Sequence, residues 1–396
     1  MKNNYAMIHQ LLKERPDMAF GFGRAFLRLN KAKLLDYNFY NGRSHEMPLM
    51  TFKITPLCNL RCVMCGQRGV TGTLKGKFAV EESKKLVPIE RYKELVDEVK
   101  KKTKVFYVWG GEPFMYPDFM DLAGYMAKNI EYFTVNTNGT YLEENAERIV
   151  RDKWEGIFIS LDAFEDVNDE IRGKGSYRKV MNGIMEINKQ KKLQKSTVPY
   201  MGIVTTVSNM NYLHLHELAA DMANKGLSWH IINLGTYMTQ EIGNSHYNYV
   251  KKHLDVEWTH WQGFASGYNE GIDGEKFADI LKKVHSYQNG YPIITVPVIR
   301  PHKINKYYSE LEVPVRDRCA APWFSTNINY DGSVGFCADY PDYIIGNIME
   351  NKLWDLYNNE KAVKFRKLLK SSPDGLLPAC KRCYQIMLCG RRKKGF

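Results

Sequence analysis

Residues 49–65 read LMTFKITPLCNLRCVMC. The first seven, Leu49–Thr55, form a strand candidate, because apolar and β-branched side chains dominate them. Pro56 ends the run, and cysteines follow at 58, 62 and 65. Three thiolates on one tight loop can bind three irons of a [4Fe–4S] cluster and leave the fourth iron without a protein ligand. An uncovered metal position is what chemistry requires, as in catalytic zinc sites. The competing reading is a structural zinc with a distant fourth ligand.

Downstream of this stretch the pattern alternates strand and helix. Pro88 opens a helix whose apolar face is Ile89, Tyr92, Leu95, Val96 and Val99. Val105–Trp109 is a strand that runs into Gly110–Gly111. Helices over Phe119–Ile130, Asn145–Trp154, Tyr177–Ile187 and Leu213–Asn224 separate strands at Tyr132–Val135, Gly156–Leu161, Met201–Val207 and Ser228–Leu234. Such alternation implies right-handed βαβ units and a parallel sheet. The predicted fold is α/β: a partial (β/α)6 TIM-like barrel over residues 49–235, with its chemistry at the C-terminal ends of the strands.

Three further regions flank this core. Residues 1–48 are basic, aromatic and partly helical; they are expected to form an N-terminal helical cap anchored by Ile8, Leu11, Leu12, Phe20, Phe26 and Leu27. Residues 236–318 break the alternation and are rich in Trp, Tyr and Gly. With one helix near Asp273–Tyr287 and one strand at Ile293–Val298, they read as a connecting region over the barrel mouth. Residues 319–396 read as a small α+β domain. It has a hairpin of Phe324–Tyr330 and Ser333–Cys337 about the turn Asp331–Gly332, then helices near Leu353–Tyr357 and Lys361–Leu369.

Cysteine usage separates metal ligation from disulfide bonding. Three of the eight cysteines lie in the first loop and five in the C-terminal domain, at 319, 337, 380, 383 and 389. The start of the chain lacks the apolar core and cleavage site of a secretory signal, and no apolar run is long enough to span a bilayer. A cytoplasmic location with no membrane partner is expected, where clustered cysteines bind metal. The net charge of +12 reads first as a solvated surface and second as attraction to an acidic substrate.

The C-x3-C-x2-C loop resembles the signature of the radical S-adenosylmethionine (SAM) superfamily, and further motifs follow in that family's order. Gly110-Gly111-Glu112-Pro113 resembles the family's GGEP element, which implies that these residues hold the SAM amino group. The resemblance implies that Ser160 and Arg172 contact the SAM ribose and carboxylate; a planar guanidinium suits a carboxylate. Asp162 accompanies them, either at the site or as the cap of the next helix. Asn138, in Asn136-Thr137-Asn138-Gly139, stands either near the cofactor or simply in an Asn-Gly turn. Met64 occupies the place of an apolar contact to the adenine. Gln67 and Arg68 face either the cluster or solvent.

Gly332-Ser-Val-Gly-Phe-Cys337 and Cys380-x2-Cys383-x5-Cys389 resemble elements of the SPASM domain, which carries auxiliary clusters. Five cysteines fall short of the full pattern of seven, so the shortened twitch version is the closer match. It implies one auxiliary [4Fe–4S] cluster on Cys319, Cys337, Cys380 and Cys383, with Cys389 left over. The resemblance covers residues 49–235 and 319–390. It implies reductive cleavage of SAM to a 5′-deoxyadenosyl radical that abstracts a substrate hydrogen, with an electron donor such as flavodoxin or ferredoxin. The first expectation for the reaction is oxidation of a small polar metabolite, with the auxiliary cluster accepting the second electron. The alternative is maturation of a ribosomally made peptide by crosslinking or epimerisation. A non-catalytic metal-binding or RNA-binding protein is the reading from another class, and no nucleic-acid partner is expected. Sequence singles out no catalytic side chain. His230, His246 and His260 are the candidate general bases.

Overall fold

Alternating burial along the first strands lays out the architecture. The structure, a computed structural model, describes residues 16–287 and 292–392. In β1 (Leu49–Lys53), Met50 and Phe52 are fully buried beneath helices, and Phe52 meets Tyr92 of the helix Ile89–Val99 at 5.9 Å between ring centroids. The intervening Thr51 and Lys53 face the other way, into the concave side of the sheet. The same alternation governs β2 (Val105–Trp109) and β3 (Tyr132–Thr137), where Phe106, Val108, Phe133 and Val135 pack outward.

The sheet continues through β4 (Gly156–Ser160), β5 (Tyr200–Thr206), β6 (Trp229–Asn233) and β7 (Ile293–Val296). All of these pairings are parallel. Two results extend the sequence expectation of six strands. β7, from the connecting region, adds a seventh parallel strand. On the opposite side, β9 (Ser325–Asn329) of the C-terminal domain pairs in parallel with β1, Leu49 opposite Ser325 and Lys53 opposite Asn329. The antiparallel β10 (Ser333–Gly335) and β11 (Gly346–Asn347) complete ten strands in the order β11-β10-β9-β1-β2-β3-β4-β5-β6-β7. The sheet does not close, so it is a partial barrel. A two-stranded ribbon of β8 (Arg316–Asp317) and β12 (Arg391–Arg392) stands apart.

The N-terminal segment departs from its expected packing. Ile8, Leu11 and Leu12 lie outside the described residues, as does the Phe20 side chain. Phe26 and Leu27 are exposed on the helix Pro16–Lys31 and anchor nothing, whereas Ala32 and Tyr37 are buried. Tyr37 packs on Trp323, and the Ser44 hydroxyl bonds Asp36 and the Trp323 carbonyl. The segment therefore docks against the C-terminal domain. The connecting region contains a second helix, Gln240–Leu254, besides the expected one at Gly274–Ser286. Among the described residues no helix is long and apolar enough to cross a membrane.

Candidate functional site

The loop after β1 carries Cys58, Cys62 and Cys65 across the C-terminal edge of the sheet. Its backbone is tied on two sides. Glu112 N–H donates to the Leu57 carbonyl at 2.7 Å, and Val63 N–H donates to Ile171 at 2.9 Å. The Gly263–Phe264 turn of the connecting region lies directly on it: a Cβ on Gly263 would meet the Gly66 carbonyl at 2.2 Å, and one on Gly66 would meet the Phe264 ring at 2.9 Å. The Gly263–Phe264 segment thus packs directly on the loop at Gly66.

Each sulfur faces a hydrogen-bond donor. Leu60 N–H and the Asn138 amide approach Cys58 Sγ at 3.4 and 3.8 Å. Arg172 Nη1 lies 3.8 Å from Cys62 Sγ, and Arg68 N–H lies 3.4 Å from Cys65 Sγ. Burial pushes the free thiols up, Cys58 to about 12 and Cys62 to about 11, against the pull of the Leu60 N–H and of Arg172 respectively. A metal must displace those protons, and the N–H donors favour the thiolates that remain. Three cysteine thiolates on one loop are soft donors of the kind that hold an iron–sulfur cluster.

The residues after β2 are set by close approach. Gly111 lies so near the start of the loop that a Cβ would fall 1.9 Å from the Leu57 carbonyl. Pro113 starts the short turn Pro113–Met115. Glu112 is completely buried, and its carboxylate accepts from Thr137 Oγ1 and Asn138 N–H, both at 2.7 Å, and from Phe114 N–H at 3.4 Å. Burial outweighs these bonds and pushes Glu112 up to about 7. Three protein donors already occupy this carboxylate, and the Gly110–Gly111 backbone is held close against Thr55 and Leu57 of the loop. Asn138 is more than a turn residue, since its amide also bonds Asn59 Oδ1 at 2.8 Å beside Cys58.

Arg172 and Asp162 form a buried ion pair, Nε to Oδ2 at 2.8 Å. Burial works against the guanidinium, but Asp162 and the Cys62 sulfur prevail and hold it firmly cationic. The pair corrects the helix-cap alternative for Asp162. Arg172 is not in a surface salt bridge. Asp162 caps no helix, because its other oxygen accepts Thr206 N–H at 2.8 Å and Phe164 occupies the cap position. A residual guanidinium edge then faces the cysteine loop. Ser160 ends β4 on the concave side with no hydrogen bond among the described residues, and Met64 is half-buried in the loop.

Two of the three candidate histidines are buried in the core. His230 lies on the outward face of β6, bonded to Thr205 Oγ1 at 2.8 Å, and burial lowers it to about 3. His246 packs edge-on to Trp258, and burial lowers it to about 4. Both are neutral core side chains. His260 pairs with Asp342 at 2.7 Å. Sequence reasoning passed over Lys53, whose buried ammonium ends β1 on the concave side. A cationic residue closing an otherwise apolar strand was the available signal.

In the C-terminal domain, Cys337, Cys380 and Cys383 share one another's electrostatic field, and Cys319 feels Cys380 and Cys383. Cys389 is buried and interacts with Cys319, the strongest influence on its thiol. Cysteine thiolates are the soft donors that hold iron–sulfur clusters.

Comparison with known proteins supplies the context. Residues 52–215 match the radical SAM superfamily model, and residues 319–384 match an iron–sulfur cluster-binding (SPASM) domain. Domains of these two kinds carry SAM and [4Fe–4S] clusters. Mycofactocin maturase MftC of Mycolicibacterium smegmatis is 30% identical over 197 residues, 48% of this chain and 46% of that protein. The match thus spans under half the length of that relative. The subtilosin biosynthesis protein AlbA of Bacillus subtilis is 23% identical over 80% of this chain and 61% of its own. Among solved structures, Streptococcus suis SuiB bound to its precursor peptide SuiA superposes with a TM-score of 0.60 at 13% identity, covering 90% of this chain and 77% of SuiB.

Proposed function

This chain is a member of the radical SAM superfamily, a radical SAM domain followed by a SPASM iron–sulfur domain, and on that premise we propose that it is a radical SAM enzyme that modifies a peptide. Cys58, Cys62 and Cys65 would hold the first cluster, and the Gly110–Gly111 backbone, Ser160, Arg172, Asn138 and Met64 would surround SAM. When bound, these groups supply a 5′-deoxyadenosyl radical that takes a hydrogen atom from the substrate. The protein's own part is to position and to exclude water. Phe264 presses on the loop at Gly66, and it also lines a cavity of about 270 Å³ with Tyr237, Thr239, Glu270, Asn305 and Tyr308. Arg172 brings a fixed positive charge against Cys62. Cys319, Cys337, Cys380 and Cys383 would hold the auxiliary cluster, with an external protein reductant as electron donor.

The observation that carries the peptide reading is the pair of relatives, a mycofactocin maturase and a bacteriocin biosynthesis protein. They favour a peptide over the small polar metabolite that cysteine count alone suggests. The test is anaerobic reconstitution with iron, sulfide, SAM and a chemical reductant. The Cys58→Ala, Cys62→Ala, Cys65→Ala triple variant should form no 5′-deoxyadenosine while retaining about half of the wild-type iron. Undiminished 5′-deoxyadenosine would remove the loop as the radical source.

A further inference from the structure

Three neighbouring strands place three polar groups side by side at the barrel mouth. Lys53 ends β1 with 3% of its surface exposed. Trp109 is its register partner on β2, and Asn136 stands next to Trp109, one residue past the Val108–Val135 pair of β2 and β3. Inward alternation turns all three toward the lumen. None has a polar partner there. Lys53 forms no hydrogen bond or ion pair among the described residues; its ammonium hangs 6.0 Å from the Trp109 ring and 6.0 Å from the Tyr330 ring. Trp109 Nε1 and Asn136 Oδ1 are buried without a hydrogen bond.

Buried polar groups are almost always paired, and an unpaired buried charge is costly. Three in one row, two donors and an acceptor, describe a mould for a ligand with the complementary groups. The acids whose fields reach Lys53 are Asp339, Asp342 and Asp331, together with Cys65, yet none makes an ion pair with it. On the reading above, SAM would take its partners from the Gly110–Gly111 backbone and Arg172 across the loop. Resting on the peptide reading above, we propose that Lys53 and Trp109 bind a carboxylate of the substrate peptide, and that Asn136 accepts a neighbouring N–H, which makes Lys53 a specificity-determining residue. Burial draws its ammonium down to about 8, so it still carries its charge at neutral pH.

The carboxylate has two possible sources, an acidic side chain or the peptide's own C-terminus. The test uses the full-length, cluster-loaded protein immobilised under anaerobic conditions with SAM. It is challenged with two libraries of random decapeptides, one with free C-termini and one amidated, and retained peptides are sequenced. Wild-type protein should enrich Asp or Glu at one position about tenfold from both libraries if a side chain is the ligand. It should retain only the free-terminus library if the C-terminus is. Lys53→Met should abolish whichever preference appears, Lys53→Glu should convert it to Lys or Arg, and Trp109→Phe should weaken it several-fold. SAM affinity and iron content should match wild type in all three variants. Unaltered enrichment by Lys53→Met overturns the assignment while leaving the peptide reading intact. A tenfold loss of SAM affinity in that variant also overturns it, by giving the amine to the cofactor. If wild-type protein retains no peptide from either library, the peptide reading itself fails and this site goes with it.

Discussion

Lys53 is held in the folded chain at a cost. Moving its ammonium from a pKa of 10.5 to about 8 corresponds to about 3 kcal/mol of destabilisation while it is charged. The sign follows from proton linkage. Below pH 8 both folded and unfolded chains carry the proton, and the penalty is complete. Between 8 and 10.5 the folded chain has released the proton while the unfolded chain keeps it, so the penalty shrinks as pH rises. Lys53→Met should therefore melt several degrees above wild type at pH 7, with the difference fading toward pH 10. A thermal melt of the metal-free proteins across that range checks this. Equal melting points at pH 7 would mean that the ammonium is already solvated or paired. Proteins retain such a penalty chiefly where function needs the group. From the sequence, Lys53 is one residue within the Leu49–Thr55 strand candidate. Only the register with Trp109 and Asn329 shows that it points into the barrel.

The elements themselves were largely visible beforehand because parallel strands covered by helices read as short apolar runs. Val105–Trp109 and Leu353–Tyr357 coincide with their expected bounds. The helix Gln240–Leu254 was not visible. Its buried face is Ile242, Gly243, His246, Val250 and Leu254, and a glycine beneath Trp261 with a histidine against Trp258 disguises the apolar stripe. β7 escaped the barrel count because the broken alternation after residue 235 separates it from β6. The β2–loop junction, in contrast, was legible from its glycines, and the structure gives the reason: Gly111 N–H donates to the Thr55 carbonyl at 2.8 Å with no room for a side chain. Gly111→Ala should force β2 and the cysteine loop apart, at about 1–3 kcal/mol, and weaken SAM binding by at least tenfold. Equilibrium dialysis with labelled SAM, beside a melting curve, separates the two effects. Wild-type affinity in that variant would show that the strand end does not shape the cofactor pocket.

At the scale of the molecule, the two cysteine sites belong to one continuous sheet. β9 of the C-terminal domain continues the parallel order on the free side of β1, the strand that leads into the first cysteine loop. Nothing in the sequence indicates that Leu49 lies opposite Ser325, because pairing between segments so far apart leaves no local signal. Tyr37, Ser44 and Trp323 bind the N-terminal segment to the same domain. The buried Arg366 locks this junction, donating to the carbonyls of Pro322, Gly42 and Tyr357 at 2.7, 3.2 and 2.8 Å. Removing residues 319–396 would strip β1 of its neighbour, expose an edge that invites aggregation, and empty the pocket around Tyr37. The truncated chain should consequently be insoluble or melt without a cooperative transition, whereas the full chain should unfold its core and C-terminal domain together. Calorimetry and limited proteolysis of both forms decide the matter. A soluble 1–318 fragment that melts cooperatively and still assembles a cluster on Cys58, Cys62 and Cys65 would mean that the C-terminal domain is an appendage, and that the β1–β9 pairing does not hold the core together.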